Sequence, residues 1–284
     1  MAIIGGKFYG GEMKKGIFSM MNYYLPLTGV KTMHSSSNIV KAGDTAIFFG
    51  LSGTDRKTLS ADLKCEFTGN DEHGWDDEGI FTLRTIDLSK ENEPDVFNAI
   101  RPNDMLENGW IDANNELNYF NSCKTENGRV SYPIYHLPHH EPNSRGNHPN
   151  AVIFLTCDAA GVQPPLSKIS TGQARIDDAA SNQVRRPIEE EATGAQDPVY
   201  LINTCWTGGV YGVGKRIELP FTRKCVGAVL DGSMAEASFI KEPLFNLEIP
   251  TTGKGVPSES LSPSYDWSDK AAFDPNAHSR WRNR

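Results

Sequence analysis

Three short, unbroken apolar runs stand out along the chain: residues 45–49 (TAIFF), 151–156 (AVIFLT) and 199–203 (VYLIN). Runs of this length without polar alternation predict strands buried on both faces of a sheet. Each ends in a Gly-rich or polar loop, as where the strand ends of an α/β sheet present a binding site. Residues 44–49 followed by 58–63 (TLSADL) read as strand–loop–helix. Alternating positions in 115–120 and 129–134 predict a hairpin between them, and residues 65–69 (CEFTG) a further short strand. The expected fold class is therefore α/β with a mixed sheet and a P-loop-type strand–loop–helix. Residues 175–198 are polar and nearly free of large apolar side chains, which predicts an exposed or disordered segment. Residues 263–284 are rich in Pro, Ser and Asp and predict a loosely ordered tail, leaving 1–262 as the folded domain.

Composition narrows the function. The net charge of −8 excludes general binding to nucleic acid or anionic membranes, although a local basic pocket for a small anion is compatible with it. No stretch approaches the roughly 20 apolar residues of a membrane span. The opening MAIIGGKFYGGEMKKG lacks the basic, apolar, then small-residue order of a secretory signal, and its strand-like start at Ile3 suggests further sequence upstream. Five widely spaced cysteines with no CxxC pair predict buried thiols in a reducing, cytoplasmic setting, with Cys157 and Cys205 in the core. His139 and His140 lack a third spaced ligand and read as loop residues, not a metal site.

The candidate chemistry lies after the first apolar run. A P-loop reads G-x-x-x-x-G-K-[ST]: its backbone amides cradle phosphate, its lysine reaches the outer phosphates and its hydroxyl binds magnesium. Gly50, Leu51, Ser52, Gly53 and Thr54 keep that frame, but Asp55, Arg56 and Lys57 follow where Gly, Lys and Ser/Thr are required. Asp55 sets a carboxylate against the anion, costing about 3 kcal/mol at ~5 Å and an effective dielectric of ~20. Arg56 keeps the charge on a bulkier fork. Lys57 puts a cation where magnesium belongs. Lys57 and Thr58 can replace the Lys-Thr pair only by a one-residue shift that turns the following helix by about 100°. Asp71, beyond the next strand, stands where an acidic residue holds a metal for phosphoryl transfer. A lysine, a histidine and an acidic residue together suit manganese.

GGEMKKGIFSMMNY, MHSSSN, GDTAIFFGLSGT, DEHGW, LSKENEPDVFNAIR, TENGRVSYPIYH, AVIFLTCDAAGVQPPLSK and TCWTGGVYGVGKRI occur in this order. Over most of residues 5–174 and 198–268 the chain resembles the ATP-dependent phosphoenolpyruvate carboxykinases, specifically their C-terminal nucleotide-binding domain. The resemblance implies the gluconeogenic reaction of ATP with oxaloacetate to give phosphoenolpyruvate, carbon dioxide and ADP, with manganese bridging substrate and phosphate and magnesium travelling with ATP. It implies Lys15, His34 and Asp71 as manganese ligands, Lys15 also serving catalysis. Arg129 matches the arginine that clamps phosphate and substrate. Arg216 and Thr222 match positions beside the adenine, and Ser52 and Glu93 match residues near the nucleotide. For Lys15, His34 and Asp71 the alternative is a Lys–Asp ion pair beside a buried histidine. His73 and Trp75 read as structural.

The departures matter as much. Asn70 replaces an aspartate of the family's metal strand, and a Gly-Gly-Cys-Tyr-Ala-Lys insert is missing between Phe81 and Thr85. The polar stretch from Arg175 replaces a longer packed segment, and the N-terminal substrate domain has no counterpart, so the chain reads as a truncated, partly degenerate copy. Three functions are compatible: an active carboxykinase, alone or within a longer chain; a catalytically dead relative; and a structural protein whose partner covers the face of the missing domain. The altered loop and missing lysine favour the last two over unaided turnover.

Overall fold

A computed structural model of the chain describes residues 11–40, 43–50, 54, 59–60, 65–70, 72–82, 100–102, 104–107, 109–114, 117–118, 129–131, 134–136, 139–170, 198–242, 245–253, 256–267 and 269–273. A helix, Gly11–Tyr24, runs into a 3-10 turn, Leu25–Thr28, closed by Gly29 at a φ of 85°. Then come β1 (Lys31–Met33), β2 (Ser36–Val40), β3 (Thr45–Gly50), β4 (Cys65–Asn70), β5 (His73–Asp76) and β6 (Gly79–Thr82). The middle of the chain holds β7 (Met105–Glu107), β8 (Trp110–Ile111), β9 (Leu117–Asn118), β10 (Arg129–Ser131) and β11 (Arg145–Gly146). The last third supplies β12 (Pro149–Thr156), β13 (Leu166–Ile169), β14 (Val199–Asn203), β15 (Trp206–Thr207), β16 (Lys215–Arg216), β17 (Phe239–Lys241) and β18 (Glu248–Pro250).

The three apolar runs lie side by side in an eight-stranded mixed sheet ordered β17-β18-β13-β14-β12-β3-β2-β4. β12 pairs in parallel with both β3 and β14, while β2, β4, β13, β17 and β18 pair antiparallel. The mixed sheet is the one expected. Successive strand residues point to opposite faces. Ile47, Phe49, Val152, Phe154, Val199 and Leu201 therefore enter one core, and Ala46, Phe48, Ile153, Leu155, Tyr200 and Ile202 enter the other. Both faces are covered, so polar alternation has no place in these strands. The helix Leu219–Leu230 packs on the second face through Thr222, Cys225, Val226, Ala228 and Val229, a stripe at helical spacing with Pro220 in its first turn.

Two local expectations are corrected. Among the described residues of 115–120 and 129–134 the expected hairpin is not formed: β9 pairs with β8, and β10 pairs with β7. Asp112 supplies the reason for the first pairing, because its carboxylate accepts the Asn114 N–H at 2.8 Å and turns the chain back immediately. Within the expected loose tail, Trp267 and Phe273 are buried against the first core, edge to face at 5.6 Å, and Trp267 Nε1 donates to the Gly161 carbonyl at 2.7 Å. Residues 274–284, and 171–197 of the expected exposed segment, lie outside the described residues.

β1, β5, β6 and β11 form a second, antiparallel sheet. Arg145 Nη2 reaches both carboxylate oxygens of Asp76, at 2.6 and 2.7 Å. Burial acts to raise the Asp76 pKa, but hydrogen bonds from Arg145 and from the Glu78 and Gly79 amides outweigh it and leave the carboxyl below its ordinary value. A carboxyl lowered on folding stabilises the protein above its unfolded pKa and loses that contribution as pH falls through the folded one. Asp76→Asn is expected to cost at most about 1 kcal/mol at neutral pH, the pair being partly solvated. It should also reduce the loss of stability on acidification below the ordinary carboxylate range. Urea melts at stepped pH check this, and identical acid slopes for the two proteins would refute it.

Candidate functional site

The three parallel strands end together. Gly50 lies opposite Leu155, and Thr156 opposite Asn203. The carboxyl ends of β3, β12 and β14 thus form one edge, where α/β sheets bind ligands. Gly50 is confined there: a Cβ on it would stand 2.6 Å from Thr54 Oγ1 and 3.1 Å from Leu155 Cβ. Thr54 is 2% exposed. Beyond it Leu59 and Ser60 are helical and buried, and the Ser60 carbonyl accepts from Asn38 Nδ2 at 3.0 Å. That bond ties the chain after the loop to β2, and it assigns a role to the asparagine of MHSSSN. Of the other loop residues singled out, Leu51, Ser52, Gly53, Asp55, Arg56, Lys57 and Thr58 lie outside the described residues.

The expected metal ligands come from three elements. Met33 pairs with His73 across β1 and β5, while Ser36 pairs with Asn70 across β2 and β4. His34 lies in the link between those two registers. Lys15, on the N-terminal helix, has its Nζ 3.9 Å from Glu72 Oε1. Glu72 is 3% exposed and Lys15 58% exposed, so the pair seats a mostly solvated amine over a buried carboxylate. Asp71 lies outside the described residues. Among the described residues no three His, Cys, Asp or Glu side chains gather as a metal ion needs. His73 is fully buried between the Ser35 carbonyl and Thr82 Oγ1, each at 3.1 Å, and Trp75 donates to His148 Nδ1 at 3.0 Å. Both are structural, as expected, and Glu72 is the addition that the sequence reading passed over.

Arg129 begins β10, its backbone opposite Glu107. Arg216 is exposed on β16, opposite Trp206, and Thr222 is buried one turn into the following helix. Glu93 lies outside the described residues.

A buried polar knot, invisible as a motif, holds the strand-end loops. Asp158 is fully buried, and its carboxylate accepts from the amides of Ala160, Val162 and Gln163 at 3.0, 2.7 and 2.9 Å. Asn203 Oδ1 accepts from the Asp158 and Cys205 amides, and its Nδ2 donates to the Gln163 and Trp206 carbonyls. Gly161, at a φ of 69°, lies so close to Gly209 that a Cβ would fall 2.1 Å from the Gly209 carbonyl oxygen. Cys157 and Cys205 are joined by a disulfide with Cα atoms 4.8 Å apart. This corrects the reading of both as thiols, since parallel neighbours end side by side; Cys205 is buried in the core as expected, whereas Cys157 emerges exposed just past β12.

A family model described as phosphoenolpyruvate carboxykinase matches residues 1–176 and 181–259. Proteins named phosphoenolpyruvate carboxykinase (ATP) are similar throughout. That of Campylobacter jejuni subsp. doylei is 44% identical over 96% of this chain and 59% of its own length. The Sulfurimonas denitrificans protein is 42% identical over 96% and 59%, and the Leptospira biflexa one 43% over 98% and 60%. The chain thus spans about three-fifths of the length of these relatives. The alignment with the Campylobacter protein runs to 311 positions, more than the 284 residues of this chain, so that relative carries residues absent here.

Proposed function

The chain belongs to the phosphoenolpyruvate carboxykinase family, and from that premise we propose that its strand-end edge is the ATP side of a cytoplasmic carboxykinase site. In this reading residues 1–262, with Trp267 and Phe273 packed into their core, form one nucleotide- and metal-binding domain. The reaction served is that of ATP and oxaloacetate to phosphoenolpyruvate, carbon dioxide and ADP, and this chain alone does not turn it over. The observation that supports the reading is the 3.9 Å approach of Lys15 Nζ to Glu72, the residue after Asp71, with His34 in the link between β1 and β2.

The donor set fits a divalent metal in kind: an amine, an imidazole and a carboxylate suit manganese, with magnesium accompanying ATP. Lys15, His34 and Asp71 would hold it, and when bound it would neutralise charge on a transferring phosphoryl group. The buried Glu72 carboxylate holds the Lys15 amine next to the position of Asp71 in the chain. Gly50, Ser52, Gly53 and Thr54 would border the phosphates, and Arg56, Lys57 and Thr58 occupy the sequence positions of the charge and hydroxyl. Arg129 would clamp the substrate phosphate; Glu93, Arg216 and Thr222 would border the nucleotide. Asp55 opposes all of this, which is why turnover is not expected.

A second reading, a carboxykinase-like protein with a structural or partner-binding role, is favoured by the apolar surface of the N-terminal helix and turn. Ile17, Tyr23, Tyr24 and Leu27 are 60%, 66%, 57% and 72% exposed. Thermal melting separates the two. Millimolar manganese is expected to raise the Tm by a few degrees, and Lys15→Ala or His34→Ala to remove the rise. No rise in the unmodified protein favours the second reading. Oxaloacetate-dependent ADP formation within tenfold of an ordinary turnover of about 10 per second would overturn the absence of catalysis.

A further inference from the structure

The Cys157–Cys205 bond joins the two loops that follow β12 and β14, at the strand-end edge. Its two sulfurs are unequally placed: Cys157 is exposed, whereas Cys205 is 4% exposed. The loops are also held together without it. Thr204 donates its amide and its hydroxyl to the Thr156 carbonyl, at 3.0 and 3.1 Å. The Trp206 amide donates to Asp158 and that of Tyr211 to Ala159, at 3.2 and 2.8 Å. Opening the bond therefore leaves the thiols adjacent, at the high effective concentration that lets a disulfide re-form. Cys205 is coupled directly to the Arg216 strand, since its carbonyl accepts the Ile217 amide at 2.6 Å and Trp206 pairs with Arg216.

We propose that Cys157 and Cys205 form a reversible thiol–disulfide exchange site, with Cys157 the sulfur that an external dithiol attacks. A thiolate of the dithiol bonds to Cys157 Sγ, and Cys205 leaves as a thiolate and takes a proton from water. The second thiol of the reagent then displaces Cys157 from the mixed disulfide. The reagent ends as its own disulfide, and the protein gains two electrons and two protons. In the oxidised form the bond clamps the strand that carries Arg216; that this alters nucleotide binding rests on the function proposed above. The remaining described cysteines, Cys65 and Cys225, are buried and serve as internal controls, and burial pushes the Cys225 thiol up to about 12.

The test is alkylation of the folded protein with iodoacetamide, read by peptide mass. Air-oxidised protein is expected to yield the Cys157–Cys205 linked peptide with no label. Millimolar dithiothreitol without denaturant should expose both thiols while Cys65 and Cys225 stay unlabelled, and removing it in air should restore the link. Reduction should lower the Tm by roughly 5–10 °C. In Cys205→Ser, glutathione disulfide should add to Cys157 at least about tenfold faster than to Cys205 in Cys157→Ser, following thiol access. Labelling of Cys157 before reduction, or a bond that opens only in denaturant, overturns the proposal. An ATP affinity that differs between the two redox forms supports the clamp. If neither form binds ATP, the nucleotide reading fails while the thiol result stands by itself.

Discussion

Replacing Asp55, Arg56 and Lys57 together by Gly, Lys and Thr is expected to tighten ATP binding by about 100-fold, since removing one carboxylate at ~5 Å from phosphate in a dielectric of ~20 is worth about 3 kcal/mol. The three changes act differently. Glycine removes the opposing charge and restores room for the backbone to approach phosphate. Lysine returns a compact point charge in place of a planar fork, and threonine returns a hydroxyl for magnesium. Asp55→Asn by itself separates the terms: it removes the charge but keeps a Cβ, so it should recover most of the gain if electrostatics dominates. Calorimetric titration with magnesium–ATP measures each variant. An unchanged affinity in the triple variant would place the defect elsewhere, first in the absent insert after Phe81.

The second large effect belongs to the polar knot. Asn203→Ala removes two acceptor contacts and two donor contacts in a site 1% exposed. Each lost bond costs about 1 kcal/mol net, and each buried group left without a partner costs more, so the expected loss is about 4 kcal/mol. For a domain of this size that lowers the Tm by about 10 °C. Asn203→Asp keeps the acceptor for the Asp158 and Cys205 amides but turns a charge toward the Gln163 and Trp206 carbonyls, and should be no better tolerated at neutral pH. Melting curves of oxidised protein decide this; a loss under about 1 kcal/mol would mean that the loops are held by the disulfide and the Gly161–Gly209 approach.

Much of this was written locally. TAIFF, AVIFLT and VYLIN became β3, β12 and β14 because a run with no polar positions is stable only with both faces covered, and the two cores on opposite faces of the sheet provide that cover. The loop after β3 was legible for the same reason: its chemistry depends on residue types in strict succession, and Asp55, Arg56 and Lys57 announce their departure without any fold. The acidic balance likewise needed no structure to exclude a general polyanion-binding role.

Pairing was not legible. Residues 115–120 and 129–134 alternate as strands do, but alternation specifies a buried face and not a partner, and a local turn at Asp112 decided the matter. Trp267 and Phe273 lie in a stretch whose composition is that of a tail, and only the three-dimensional core shows the space they fill. The same holds for the sites. Lys15 and Glu72 are 57 residues apart and meet because the N-terminal helix packs beside β1, whose neighbour β5 starts just after Glu72. Cys157 and Cys205, 48 apart, meet because β12 and β14 end side by side. The sequence alone determined that the three apolar runs are strands, which family the chain resembles and where its phosphate loop departs, because those are properties of neighbouring residues. Which distant residues meet at the edge was decided only by the tertiary structure, since sheet register is set by the packing of the whole core.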